Sequence, residues 1–210
     1  MIGLAAAACT TLQAGGDGQL ERTWQAARVW VPAAALAAPP PAPLTGRLDE
    51  LTARLDRLPA TSSVPVVVYA HDCAGLGPEV AIWADRLARH GYAVIAPDGF
   101  ARSGRAPTCA LGGVDALLTR EEEIRYALRQ VRTQSWVRQH AVFLLGVGHG
   151  ATIVARSAVG AVTGTVIIGG AGESPRRSPA LVREGGGPSN APSEDDQRAV
   201  VDFLQRLTPR

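Results

Sequence analysis

Residues 141–155 read AVFLLGVGHGATIVA. Ala141 to Leu145 is a continuous apolar run, which predicts a strand buried on both faces of a sheet. Gly146, Gly148 and Gly150 then alternate with larger residues before a second apolar stretch of helical character begins near Ala151. Glycine at every second position leaves room for the backbone to bend sharply and approach its neighbours closely. The stretch therefore predicts a strand, a tight turn and a helix packed back on the strand.

Reading outward, Val64 to Ala70 (VPVVVYA), Tyr92 to Ala96 (YAVIA) and Thr165 to Ile168 (TVII) have the same strand character. Helical stripes alternate with them. Leu48, Leu51, Leu55 and Leu58 form one that Pro59 stops, and Val80, Trp83, Ala84, Leu87 and Ala88 form the next. Thr119 with Glu122 fits a capping box, opening a helix with Ile124, Ala127, Leu128 and Val131 on its core face. Glu121 to Glu123 would then be a solvated first turn that complements the helix dipole. Alternating strands and helices predict an α/β fold, a doubly wound, mostly parallel sheet with a flavodoxin-like three-layer core.

The organisation that follows has four parts. Residues 1–45 form an N-terminal segment with a short strand, Arg28 to Val31, and a Pro/Ala-rich connection from Pro32 to Pro43. Residues 46–169 are the core. Residues 170–193, rich in Gly, Pro, Ser and Arg, are expected to be a flexible loop without a strand, so the sheet is shortened at its C-terminal end. Ser193 caps a last helix over 194–210, with Val200, Phe203, Leu204 and Leu207 facing the core. The shortening leaves Thr165 to Ile168 as a sheet edge, which invites a homodimer through that strand.

Composition narrows the function classes. The 21 basic residues, all arginine, nearly balance 19 acidic ones and form no block that would track phosphates, so nucleic acid is not an expected partner. The absence of lysine reads as the codon bias of a GC-rich bacterial genome. No apolar run reaches the length of a membrane span. Met1 to Cys9 (MIGLAAAAC) has two readings: an Ala-rich terminus of a cytoplasmic protein, or the tail of an exported lipoprotein signal, with Cys9 as its lipobox cysteine if translation starts upstream. Cys73 and Cys109 flank the same strand ends, a disulfide in an oxidising compartment and two thiols in a reducing one.

Three ordered motifs carry a family resemblance. YAHDCAGLG (Tyr69 to Gly77) resembles the H-G-C-x-G-L-G loop of the dienelactone hydrolase family, with Asp72 in place of the usual glycine. GYAVIAPDGFARSGRAPTC (Gly91 to Cys109) is similar to that family's strand and loop ending in P-D-x-F and a later cysteine. FLLGVGHGATIVA (Phe143 to Ala155) aligns with the strand, nucleophile elbow and helix in which the family reads G-x-S-x-G-G. The resemblance implies an α/β-hydrolase-like fold acting on a small-molecule carboxylate, ester or lactone, with no cofactor.

Gly148 falls on the nucleophile position itself. Without an Oγ or Sγ no acyl-enzyme can form there. In this fold the nucleophile is followed by an acid and then by a histidine. The histidines are His71, His90, His140 and His149, none beyond the elbow helix, and Glu173 is the remaining candidate acid. The expected pocket comprises His71, Asp72, Cys73, Asp98, Gly148 and His149, with the His149 N–H in the oxyanion hole and Asp98 fixing a loop. No Cys/His spacing resembles a zinc site. The reading is a pseudo-hydrolase with a binding or scaffold role. The alternative is an active ester or lactone hydrolase using a displaced nucleophile, such as Cys73 or a water activated by His149.

Overall fold

The computed structural model describes residues 18–102, 109, 114–157, 162–169, 178–184 and 192–209. Its centre is a seven-stranded sheet in the order β2-β1-β4-β3-β5-β6-β7. The strands are β1 (Arg28–Val31), β2 (Leu44–Arg47), β3 (Val64–Ala70), β4 (Ala93–Ala96), β5 (Val137–Val147), β6 (Gly164–Ile168) and β7 (Ala180–Arg183). From β4 to β7 every pairing is parallel, while β1 runs antiparallel to both β2 and β4.

The apolar runs make sense in this sheet because each strand is covered on both sides. Val66, Val68 and Ala70 of β3 point into one core, and Val67 and Tyr69 into the other. Helices α2 (Leu48–Leu55), α4 (Val114–Thr133) and α5 (His149–Ser157) close the first face; α3 (Pro78–Arg89) and α6 (Glu194–Leu207) close the second. The N-terminal helix α1, residues 18–25, adds Trp24 to the first core. Full burial of each valine of β3 stabilises the fold by about 1.5–3 kcal/mol, so this central strand anchors both layers. The three-layer α/β expectation holds. No helix among the described residues is long and apolar enough to cross a membrane.

Several expectations need correction. Residues 170–193 do contain a strand: β7 pairs with β6 from Thr165↔Ala180 to Ile168↔Arg183. Thr165 to Ile168 is therefore an internal strand, fully covered along its length, and offers no edge for a homodimer. Among the described residues the edge is β7, half-exposed, and Arg183 at its end is tied to Asp196 of α6 at 2.9 Å. Thr119 does not open α4, which extends from Val114, so there is no capping box at that point. Glu121 and Glu123 are buried rather than solvated. Glu121 pairs with Arg156 of α5 and with Arg125, and Glu123 with Arg102. Their charges are kept inside because each has a guanidinium partner. Ser193 does cap α6, its hydroxyl accepting from the Asp196 N–H at 3.0 Å. Met1 to Cys9 and Glu173 lie outside the described residues.

Candidate functional site

At the carboxyl end of β5 the chain turns through Gly148 directly into α5. Gly148 has φ +56°, a left-handed conformation that side chains rarely adopt. Its neighbours are glycines for steric reasons. A Cβ on Gly146 would lie 2.3 Å from the Gly150 carbonyl oxygen, and one on Gly150 would lie 1.9 Å from the Ala70 carbonyl oxygen. The turn is pinned by a hydrogen bond from the Gly148 N–H to Ile168 O at 2.9 Å. The expected strand, elbow and helix are thus present in full.

What fills the elbow is a carboxylate. A Cβ on Gly148 would lie 2.5 Å from Asp72 Oδ1 and 2.6 Å from its Cγ. The same Oδ1 accepts the backbone N–H of His149 at 2.8 Å. In this fold the N–H of the residue after the nucleophile faces the developing oxyanion, and here it faces the chain's own Asp72. The negative charge is favoured there, since the N–H belongs to the first turn of α5, at the positive end of the helix dipole. Asp72 is the residue that departs from the resembling loop at a glycine, and Gly148 departs from it at the nucleophile. The two departures are complementary in volume, with the carboxylate entering the space that the missing side chain vacates.

The loop that carries Asp72 is held from behind. Arg120 of α4 donates to the carbonyl oxygens of His71 and Asp72, the latter at 3.3 Å. His71 is buried and does not face the elbow as a base. Its Nε2 accepts the Gly99 N–H at 3.4 Å, which leaves Nδ1 to donate to Asp72 O at 2.6 Å. Burial, and then the Arg120 guanidinium, press the imidazole down to about 3, so it is neutral. Asp98 plays the loop-fixing part, its Oδ1 accepting the Phe100 N–H at 2.9 Å.

Cys73 is joined to Cys109 by a disulfide, which leaves no thiolate for nucleophilic attack. This corrects its place among the candidate nucleophiles. His149 remains beside the plug: a ring nitrogen of His149, an oxygen of Asp72 and Sγ of Cys73 all lie within 4.8 Å of one another. That grouping is the candidate metal-holding cluster found among the described residues.

Sequence reading missed three features here. Arg120 gave no local signal, because its role depends on a loop 49 positions away. Glu184 stands immediately after β7, the type of place from which this fold draws its acid, and it was hidden with the strand itself. It is exposed, and no histidine follows it in these 210 residues. The carboxylate plug had a signal in the paired departures at 72 and 148.

Comparison with solved structures gives the same fold. A protein of Thermus thermophilus superposes with a TM-score of 0.53 at 15% identity, covering 70% of this chain and 91% of that one. Esterase PE8 superposes with a TM-score of 0.50 at 12% identity, covering 70% and 94%. A dienelactone hydrolase-like promiscuous phosphotriesterase, P91, from metagenomic libraries is 22% identical, with a TM-score of 0.48 over 69% of this chain and 66% of that one. No curated protein matches the sequence significantly. The model of the dienelactone hydrolase family matches residues 53–189, from α2 through β7 and including the elbow. The chain therefore belongs to the dienelactone hydrolase family.

Proposed function

We propose that this chain is a non-hydrolytic member of its family, a binding or scaffold protein whose elbow is closed by its own carboxylate. The observation that carries the reading is the double occupancy by Asp72, which fills the volume a nucleophile would need and accepts the His149 N–H. A residual oxyanion hole can accelerate hydrolysis even without a triad. Here that donor is already engaged by an anion, so an ester carbonyl would have to displace Asp72 to use it. The neutral, doubly hydrogen-bonded His71 and the disulfide-bonded Cys73 support the same reading.

Turnover of p-nitrophenyl acetate and of an unsaturated lactone tests it. The wild-type chain is expected to hydrolyse neither above the buffer rate. A second reading, hydrolysis of esters or lactones by a water held between Asp72 and His149, is favoured by the proximity of those two side chains. Wild-type turnover that disappears in His149→Ala would establish that reading and overturn the first.

A further inference from the structure

The Cys73–Cys109 disulfide adjoins the plug, and together they bring four donor side chains to one place. Asp72, Cys73 and His149 offer ligand atoms within 4.8 Å of one another, and Cys109 is covalently attached to Cys73. These residues come from three separate segments: the loop after β3, the loop after β4 and the first turn of α5. From this juxtaposition we infer that reduction of the disulfide converts the plug into a tetrahedral Zn(II)-class metal site formed by Asp72, Cys73, Cys109 and His149.

The chemistry of the donor set selects the class of ion. Two thiolates, one imidazole and one carboxylate are soft to borderline ligands in the number that a closed zinc site takes. With metal–ligand bonds of about 2.0–2.3 Å, the donors of a tetrahedron stand roughly 3.3–3.8 Å apart. Asp72, Cys73 and His149 already have ligand atoms within 4.8 Å of one another, little more than that spacing, with Cys73 itself buried. The contacts that would orient these ligands are already in place. The His149 N–H fixes one Asp72 oxygen, and Arg120 holds the backbone carbonyls at 71 and 72. Such outer contacts orient ligands and sharpen affinity. Two thiolates and a carboxylate exceed the charge of a divalent ion by one, and the positive end of α5 faces that excess.

In the oxidised chain the sulfurs are bonded to each other and are poor ligands. A small-molecule dithiol supplies two electrons and two protons, breaking the S–S bond to give two cysteine thiols, and leaves as its own cyclic disulfide. Zinc binding then displaces both thiol protons to solvent as two Zn–S bonds form. Metal affinity is thereby set by the redox state of one bond. The site is independent of ester turnover and stands or fails separately from it.

The experiment uses the full chain, treated with dithiothreitol and freed of it anaerobically. Zn(II) binding is read by competition with a chromophoric indicator, and the ligand set by Co(II) absorption. The reduced protein is expected to bind one equivalent, with a thiolate-to-Co(II) charge-transfer band and intense tetrahedral d–d bands. The untreated protein should bind at least about 100-fold more weakly. His149→Ala and Asp72→Asn should each weaken binding by about tenfold or more, and Cys109→Ser should lose about half of the charge-transfer intensity. Three results overturn the inference: no binding by reduced chain that keeps its far-UV circular dichroism, binding unchanged in both His149→Ala and Asp72→Asn, or unfolding on reduction that zinc does not reverse.

Discussion

The His149 N–H donates to Asp72 Oδ1 at 2.8 Å, and that oxygen lies 2.5 Å from where a Cβ on Gly148 would stand. Asp72 and any side chain at 148 are therefore mutually exclusive at the elbow. A glycine at 148 serves two purposes, accepting φ +56° and leaving space for the carboxylate. Restoring a nucleophile by one substitution would meet both obstacles.

Gly148→Ser alone is expected to destabilise the fold by about 2–3 kcal/mol, combining left-handed strain of about 1–2 kcal/mol with displacement of Asp72. In an Asp72→Gly background the second part disappears. The double variant should thus be more stable than the two single effects predict by about 1 kcal/mol or more. Urea unfolding of the four proteins measures this coupling. Additivity within about 0.5 kcal/mol would show that the carboxylate does not occupy the site.

His71 gives the fold a pH dependence with a definite sign. Its imidazole titrates near 6.5 when unfolded but is held at about 3 in the folded chain. Between these values the unfolded state binds the extra proton, so stability is full above about pH 6.5 and declines as pH falls toward 3. The slope is up to about 1.4 kcal/mol per pH unit. His71→Gln should flatten the decline between about pH 6.5 and 5, where carboxylates contribute little. Denaturant midpoints across that range decide; an unchanged slope in the variant would remove His71 as its source.

Legibility followed burial. β3 and the AVFLL part of β5 are covered on both faces, which leaves an unbroken apolar run to read, and the Leu48 and Val80 stripes reflect one-sided packing. β7 and β2 were not legible, because each is an edge strand of four residues without a fully buried position: β2 alternates only between intermediate and exposed, over too short a span to read, and β7 does not alternate at all. The buried glutamates misled for a related reason. Whether Glu121 and Glu123 face water depends on Arg156 and Arg102, 35 and 21 positions away, and local sequence carries no trace of such pairs. The elbow glycines could be read as a turn, whereas the closure by Asp72 required two distant positions to be considered together.

The tie between α6 and the sheet edge should weaken in acid. The Ser193 hydroxyl, and then Arg183, hold the Asp196 carboxyl below its usual range. Its folded state thus binds a proton less readily than the unfolded chain. The stabilisation is complete above about pH 4 and is lost as pH falls through the depressed folded value. Arg183 is 41% exposed, so screening limits the gain to roughly 1 kcal/mol or less. Asp196→Asn should remove this part of the acid sensitivity, seen as faster amide exchange in α6 at neutral pH and a smaller change below pH 4. Equal exchange in α6 of both proteins would mean that the pair does not fasten the helix.

The disulfide joins positions 36 residues apart. Closing a loop of that length in the unfolded chain corresponds to about 3–4 kcal/mol of stabilisation on the chain-entropy account. For a domain of this size that is on the order of 10 °C in Tm. A Cys73→Ser/Cys109→Ser protein should therefore melt earlier by that amount, and its melting temperature should be insensitive to dithiothreitol. The wild-type chain should fall to a similar temperature on reduction under metal-free conditions. Zinc should raise the reduced wild type again while leaving the serine variant unmoved, because only the former retains two thiolates beside Asp72 and His149. A reduced wild type that melts at the oxidised temperature would show that the cross-link adds nothing to the fold.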